Sequence, residues 1–193
     1  MVMVALMFQA IKNRTLIEKS LLAAAGASAA LLIGAHLFES VGGLAPCALC
    51  LDQREAHWTG LTLSSIGLVI ALLLRWRRAA IATVGACALV YLVSAGLAFY
   101  HAGVENHYWP GPATCSGGGP IEIGPGGLAD VLTQKPAGPS CTEAAWRMLG
   151  VSMAGYNLLI SSGLFAFCLI AAASAARDER RSVHGKRLES APS

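Results

Sequence analysis

Three observations predict an all-α membrane protein, a four-transmembrane-helix bundle with two outer loops. Only 13% of the 193 residues are charged, 55% are apolar, and the mean hydropathy is +0.57. A soluble domain usually carries about 25% charged residues, so this composition indicates that lipid is the solvent. Four stretches reach the roughly 17–25 apolar residues that a spanning helix needs. The basic residues are concentrated on one side of these stretches.

The four predicted spans are residues 20–38, 56–74, 79–99 and 151–176. We expect one membrane domain over residues 20–176, with cytoplasmic segments at 1–19 and 177–193. The first span has the basic start and small residues of a cleaved signal peptide. However, its apolar run continues through Leu37, which is longer than a typical signal sequence. We therefore expect this span to be retained.

The positions of lysine and arginine predict the orientation of the bundle. Eleven of the 14 basic residues lie in the N-terminal segment, the turn between the second and third spans, and the C-terminal tail. By the positive-inside rule, both termini are cytoplasmic and the other two loops lie outside. The net charge of +3 is therefore a topology signal and gives no indication of nucleic-acid binding.

The six cysteines form two groups. Two lie in the middle of the third and fourth spans, Cys87 and Cys168, and we expect them to be small buried apolar side chains. The other four lie in the two outer loops: Cys47 and Cys50 in the first, Cys115 and Cys141 in the second. All four are on the side of the membrane where disulfides persist in bacteria. The topology prediction did not use the cysteines, so their placement supports it independently.

Cys47 and Cys50 form a C-x-x-C motif, which is compatible with a structural disulfide, half of a zinc site or a redox pair. The preceding Pro46 indicates that a helix begins here. A helix N-terminus stabilises a thiolate and is expected to lower the cysteine pKa. Arg54 follows Cys50 by four residues, on the same helix face. Its guanidinium could favour the thiolate or hold a developing oxyanion. The alternative is an interfacial arginine without a role in the chemistry, but the register of Arg54 with both thiols favours the functional interpretation.

The depth of this motif indicates the type of oxidant. Trp58 and Trp76 lie 18 residues apart, about 27 Å along a helix, which matches the hydrocarbon thickness. Tryptophan prefers the two membrane interfaces. Cys50 and Arg54 are then one or two turns above the outer tryptophan, at headgroup level. A lipid-soluble oxidant with a polar ring would present that ring at this depth.

The second outer loop, residues 100–150, is rich in glycine and proline, which disfavours long regular elements. Cys115 and Cys141 are 26 residues apart within it, a separation that suits a disulfide. That bond would be either a structural clamp or an exchangeable disulfide accessible to the thiolate of a partner protein. The mobility expected of a glycine-rich loop favours the exchangeable disulfide, because an attacking thiol needs in-line access to one sulfur. Four cysteines could also bind zinc. We expect no metal, because Cys115 and Cys141 are widely spaced and periplasmic oxidation competes for the thiols.

Several segments resemble one known family. Residues 46–54, Pro-Cys-Ala-Leu-Cys-Leu-Asp-Gln-Arg, are similar to the signature of the DsbB family, disulfide bond formation protein B. The resemblance continues in the second outer loop and the start of the fourth span: residues 100–105 and 109–112, Cys115, Cys141, Trp146, and residues 149–150 and 152–157. It covers residues 20–176 and leaves both ends outside.

The resemblance implies a thiol:quinone oxidoreductase of the bacterial inner membrane that supports disulfide bond formation and protein folding. Its partner would be a periplasmic DsbA-like thioredoxin-fold oxidase, and its electron acceptor ubiquinone or menaquinone. The redox disulfides would be Cys47–Cys50 and Cys115–Cys141. DsbA would reduce the loop disulfide, whose thiols would then exchange with Cys47. Cys50 would contact the quinone, and Arg54 would bind or polarise it.

Two other functions remain open from the sequence. A vitamin K epoxide reductase-like protein is also a four-helix, quinone-linked thiol enzyme. In that family we expect the loop cysteines before the C-x-x-C motif, whereas here the motif comes first. The second alternative is a membrane scaffold without enzyme activity, in which two disulfides only stabilise the outer loops.

Overall fold

A computed structural model describes residues 2–115 and 139–189, with side chains for 16–113, 115 and 139–185. Its four long helices are α1 Val2–Ser40, α2 Ala48–Val69, α3 Arg77–Glu105 and α4 Met153–Glu189. A π-helical turn, Ile70–Leu74, extends α2, and a 3-10 turn, Ala113–Cys115, follows α3. Before α4, strands β1 Arg147–Met148 and β2 Val151–Ser152 pair antiparallel.

All four helices are long and apolar enough to cross a membrane, over Leu16–Ser40, Ala48–Leu74, Arg77–Glu105 and Met153–Gly185. The predicted four-helix membrane bundle is therefore confirmed. Most ends of the helices lie beyond the ends of the predicted apolar runs. The reason is that backbone hydrogen bonding of a helix continues into the polar residues that flank an apolar run. The start of the last predicted span differs, since Val151–Ser152 is a strand and the helix begins at Met153.

The helices pack in a ring, each against the next in the chain, with α4 closing on α1. Their core combines larger side chains, among them Leu21 and Tyr91, with many alanines and serines. Small residues let helices approach closely where lipid provides no hydrophobic drive for association. Gly60 illustrates this, since a Cβ there would lie 2.8 Å from the Tyr91 hydroxyl. Cys87 and Cys168 are fully buried in this core without a disulfide, which confirms their expected role as small core side chains.

The outward faces and the ends of the bundle are consistent with a lipid environment. Large apolar side chains such as Leu22, Leu89 and Ile170 are mostly exposed, as they would be against hydrocarbon. At the end remote from the C-x-x-C motif, Arg77 and Arg78 bind the Glu179 carboxylate at 3.2 and 3.0 Å. These ion pairs tie the start of α3 to the far part of α4.

A tight hairpin connects the second outer loop to α4. Leu149 and Gly150 form its two-residue turn with φ of 51° and 80°, the left-handed pair that suits the twist of a hairpin. Leu149 is the strained member because it carries a side chain. The hairpin fixes where the polypeptide enters α4, next to the site described below.

Candidate dithiol site and adjoining cavity

The C-x-x-C motif forms the start of α2. Cys47 is the N-cap residue, and its sulfur accepts a hydrogen bond from the Cys50 backbone N–H at 3.3 Å. The two sulfur atoms are 2.7 Å apart and are not bonded. The helix therefore begins at Ala48, as Pro46 indicates, and holds both sulfurs close enough to form a disulfide with little backbone movement.

The pKa of the Cys47 thiol differs from the one expected from the sequence. Its pKa is raised above the usual value, first by the hydrogen bond that it shares with Cys50 and then by burial. The sequence predicted a lowered pKa from the helix N-terminus, and for Cys47 this is wrong. The shared hydrogen bond and burial both favour the protonated form of Cys47 when the pair is reduced.

The second pair of cysteines packs directly on the first. A disulfide joins Cys115 to Cys141, whose Cα atoms are 5.2 Å apart. The Cys141 and Cys47 sulfurs and a ring nitrogen of His101 all lie within 4.8 Å of one another. Cys47, Cys115 and Cys141 also form one buried cluster with Leu49 and Val104. The fold thus brings together two pairs of cysteines that are more than sixty residues apart in sequence.

Packing of the loop onto α3 holds Cys115 in this place. The Trp109 ring lies against Gly103, where a Cβ would come within 1.9 Å of a ring carbon. The Trp109 indole N–H donates to the Tyr100 carbonyl at 2.8 Å, and the two rings stack. A side chain at position 103 would therefore displace the loop segment that leads to Cys115.

The loop disulfide is less accessible than the sequence suggested. Cys115 is 3% exposed and Cys141 is 0% exposed, whereas an exchangeable disulfide open to a partner was expected. Residues 116–138, which contain most of the glycine-rich part of this loop, lie outside the described residues. Both cysteines of the loop disulfide are therefore covered in this structure.

Arg54 lies beside the dithiol, and its guanidinium is hydrogen-bonded to α1. Its guanidinium donates to the Glu39 carboxylate at 2.5 Å and to the Ala35 carbonyl at 3.2 Å, both on α1. The arginine side chain is only 16% exposed. Glu39 was not identified from the sequence, because nothing there indicates which carboxylate α1 would present to α2. Arg54 therefore has a fixed direction, which a mobile interfacial arginine would lack.

A cavity of about 780 Å³ adjoins these side chains. Its lining is mainly apolar and comes from all four helices and both outer loops. The polar and sulfur-bearing lining residues on α2 include Cys50, Arg54 and His57. Trp146 stands at one wall between Phe38 and Tyr156, with ring centroids 5.2 and 6.2 Å away. Apolar cavities of about 300–1,000 Å³ with a few placed polar groups are typical small-molecule sites.

The structure also shows a buried polar chain between the dithiol and the centre of the bundle. The Gln53 side chain hydrogen-bonds His101 at 2.7 Å and Asn157 at 2.6 Å. Asn157 in turn bonds His57 at 2.7 Å. The sequence signal for these groups was that Gln53, His101 and Asn157 fall within the DsbB-like motifs. Beside them, Glu105 is buried, and its Oε2 has no hydrogen-bond partner in the described part of the chain.

The grouping of Cys47, Cys141 and His101 also has the composition of a soft-metal site. Zinc needs cysteine as a thiolate, and in this structure Cys141 is held in a disulfide. The same three residues are therefore arranged for thiol–disulfide exchange in the observed covalent state.

One protein-family sequence model, described as "Disulfide bond formation protein DsbB", matches residues 18–171. The chain belongs to the DsbB family. The resemblance noted in the sequence is thereby confirmed, and with it a multi-pass membrane protein of disulfide bond formation with disulfide oxidoreductase activity. Members of the DsbB family generally work with DsbA and quinones.

The chain is also similar to an individual curated protein. This DsbB-family chain is 30% identical over 138 residues to an uncharacterized protein, RP370, of Rickettsia prowazekii (strain Madrid E). The alignment covers 69% of this chain and 74% of that protein. No solved structure matches the chain. Sequence similarity alone therefore shows the family. The arrangement of the cysteines in the structure is independent of that similarity.

Proposed function

We propose that this protein is a thiol:quinone oxidoreductase of the bacterial inner membrane that reoxidises a periplasmic DsbA-like dithiol oxidase. The observation that carries the proposal is the single buried cluster of both cysteine pairs. Cys141 is within 4.8 Å of Cys47, Cys47 is 2.7 Å from Cys50, and Cys50 lines the cavity. Electrons can therefore pass from the loop to the cavity by successive thiol–disulfide exchange.

Each exchange step conserves electrons. A thiolate of the reduced partner attacks Cys115, the Cys115–Cys141 bond breaks, and the second partner thiol then releases an oxidised partner. The Cys141 thiolate attacks Cys47 of a Cys47–Cys50 disulfide, so that a Cys47–Cys141 bond forms and Cys50 leaves as a thiolate. Cys115 then attacks Cys141, which restores the loop disulfide and leaves Cys47 and Cys50 reduced. The sequence left open whether Cys115 or Cys141 exchanges with Cys47. The proximity of the Cys141 sulfur to that of Cys47 favours Cys141.

A quinone ring fits the residues that line the cavity. The volume of about 780 Å³ and the apolar lining suit an aromatic ring with an isoprenoid tail. Cys50 would face the ring, while Arg54 and His57 would be the polar groups nearest its carbonyl oxygens. When bound, ubiquinone or menaquinone would accept the two electrons and two protons released as the dithiol becomes a disulfide. This two-electron match makes a quinone a suitable acceptor.

The alternatives explain the site less well. A disulfide within one helical turn closes a very short loop, so Cys47–Cys50 would add little stability to a scaffold. A vitamin K epoxide reductase-like enzyme would be expected to have its loop cysteines before the C-x-x-C motif. Here Cys115 and Cys141 follow it, and the matching family is DsbB.

The proposed activity is tested with purified protein, a reduced DsbA-like partner and a soluble quinone analogue. We expect one quinone reduced for each partner disulfide formed, because both are two-electron couples. Quinone absorbance and alkylation of partner thiols measure the two products separately. Partner oxidation without quinone reduction, or neither reaction, would contradict the proposal.

The proposed orientation places both termini in the cytoplasm and the four loop-side cysteines in the periplasm. It is supported by the basic residues at the end of the bundle opposite the C-x-x-C motif. A periplasm-active reporter fused after Arg180 should be silent, while the same reporter inserted after Gly124 should be active. The opposite pattern would contradict the orientation and the periplasmic location of the cysteines.

Replacing Arg54 with alanine should weaken quinone use and leave exchange between partner and loop nearly unchanged. Loss of a hydrogen bond from a charged donor corresponds to an increase of roughly 10-fold or more in the apparent KM for quinone. Glu39→Gln should have a smaller effect, because the guanidinium remains. Initial rates at varied quinone concentration measure both variants.

The matched control for Arg54 is Arg147→Ala, which removes an exposed arginine of the second loop whose guanidinium donates to the Gly150 carbonyl at 3.5 Å. Its KM for quinone should equal that of the unmodified protein. An unchanged KM for Arg54→Ala would show that the guanidinium has a structural role only.

A further inference from the structure

The hydrogen bonds of Gln53 determine the protonation of His101. The Gln53 side-chain nitrogen donates to the Leu49 backbone carbonyl at 3.1 Å. A carbonyl oxygen can only accept, so the amide cannot be reversed without placing two oxygens against each other. The same nitrogen lies 2.7 Å from Nδ1 of His101. Nδ1 must therefore be the acceptor, and the neutral imidazole carries its proton on Nε2.

Asn157 fixes the same arrangement from the opposite side. Its Nδ2 donates to Gln53 Oε1 at 2.6 Å, while its Oδ1 accepts from the Ser161 hydroxyl at 2.9 Å. Oδ1 also lies 2.7 Å from His57 Nε2, which must donate. All of these residues are buried in the bundle. These hydrogen bonds are therefore consistent in only one direction of donation, from His57 through Asn157 and Gln53 to Leu49 and His101.

The fixed proton on His101 faces the dithiol. Nε2 is 3.7 Å from the Cys47 sulfur and 3.8 Å from the Glu105 carboxylate. A hydrogen bond to a charged acceptor is about twice as strong as one to a neutral acceptor. The interaction of Nε2–H with Cys47 therefore becomes stronger when this sulfur is a thiolate.

We propose that Gln53 and Asn157 are positioning residues that hold the His101 Nε2–H toward Cys47, where it stabilises the departing Cys47 thiolate. The inference rests on the proposed function. In the step concerned, Cys115 attacks Cys141 of the Cys47–Cys141 bond. The Cys115–Cys141 bond forms, the Cys47–Cys141 bond breaks, and Cys47 leaves with the electron pair. His101 keeps its proton and donates a hydrogen bond.

The variant Gln53→Glu tests this arrangement with little change of size. A carboxylate can accept but not donate, so it repels the Leu49 carbonyl and attracts a proton onto His101 Nδ1. Nε2 would then present a lone pair to the Cys47 sulfur. Acid quenching during turnover should show release of the Cys47–Cys141 species slowed roughly 10-fold or more. Ring ¹⁵N NMR of histidine-labelled protein, assigned with His101→Ala, should show the change of tautomer.

A second variant and a control separate this role from general destabilisation. Asn157→Asp removes the donor to Gln53 but keeps an acceptor for His57, and it should also slow release. Ser64→Ala removes another buried hydroxyl from α2, one that bonds only to carbonyls of its own helix. Its His101 tautomer and its release rate should equal those of the unmodified protein.

The outcomes distinguish this inference from the proposed function. If the unmodified protein reduces quinone but carries the His101 proton on Nδ1, the inference is wrong. It is also wrong if Gln53→Glu changes the tautomer without slowing release. If the unmodified protein does not reduce quinone at all, the proposed function fails, whereas the NMR measurement still decides the direction of the hydrogen-bond chain.

Discussion

Replacing Cys50 with serine is expected to reduce quinone reduction to the background rate, a loss of roughly 100-fold or more. Both cysteines of the C-x-x-C pair line the cavity, and Cys50 is the one that we propose faces the quinone. A serine hydroxyl has almost the same size but cannot form the disulfide that stores two electrons. The bundle should remain folded, because position 50 lies in the first turn of α2 and is only partly buried. The coupled assay of partner thiols and quinone absorbance measures the loss.

The control for Cys50→Ser is Cys168→Ser, at a cysteine that takes no part in the proposed thiol–disulfide exchange. Cys168 is buried in the bundle core, and a serine there can bond a carbonyl of its own helix. Cys168→Ser should retain most of the activity. A Cys50→Ser protein that still reduced quinone at a substantial rate would show that electrons reach the acceptor by another route.

Replacing Cys141 with serine is expected to trap a covalent complex between Cys115 and the partner oxidase. In the unmodified protein the Cys141 thiol can displace the partner from Cys115, so the mixed disulfide is short-lived. Serine cannot attack the bond. Because Cys115 of this variant is a free thiol, the partner is supplied without its resolving cysteine and as a mixed disulfide with a small thiol. Cys115 displaces that small thiol, and the resulting complex should accumulate, visible on a non-reducing gel and released by a reductant.

Cys115→Ser serves as the matched variant for this trap. If Cys115 is the loop sulfur that the partner reaches, this variant should give almost no complex with the same activated partner, because the remaining Cys141 is fully buried beside Cys47. Equal trapping by the two variants would show no preference between the loop sulfurs. Trapping only through Cys141 would reverse the proposed order of attack.

The spans, the helix start and the cysteine distribution were predictable because each depends on residues close together in sequence. Apolar runs of spanning length are visible directly, and Pro46 marks the start of α2. The second outer loop was less predictable. Its glycines indicated an accessible disulfide, yet Trp109 packs over Gly103 and the described part of the loop buries Cys115 against α2 and α3.

The surroundings of the reactive groups required the packed bundle. Arg54 was identified from its spacing to Cys50, but its partner Glu39 lies on another helix. The helix-dipole argument gave the wrong direction for the Cys47 pKa, because the nearby Cys50 and burial outweigh the dipole. Interactions of this kind depend on distances of a few ångströms, which sequence spacing does not determine between helices.

The sequence by itself determined a four-helix membrane bundle and the positions of the cysteines, since hydropathy and local motifs encode them. Only the tertiary structure decided that Cys141 approaches Cys47 and that Gln53 connects His101 to Asn157. The physical reason is that four apolar helices can pack at many rotations with similar burial of apolar surface. The buried polar chain can be satisfied only when the helix faces that carry its members meet, and that requirement selects one packing.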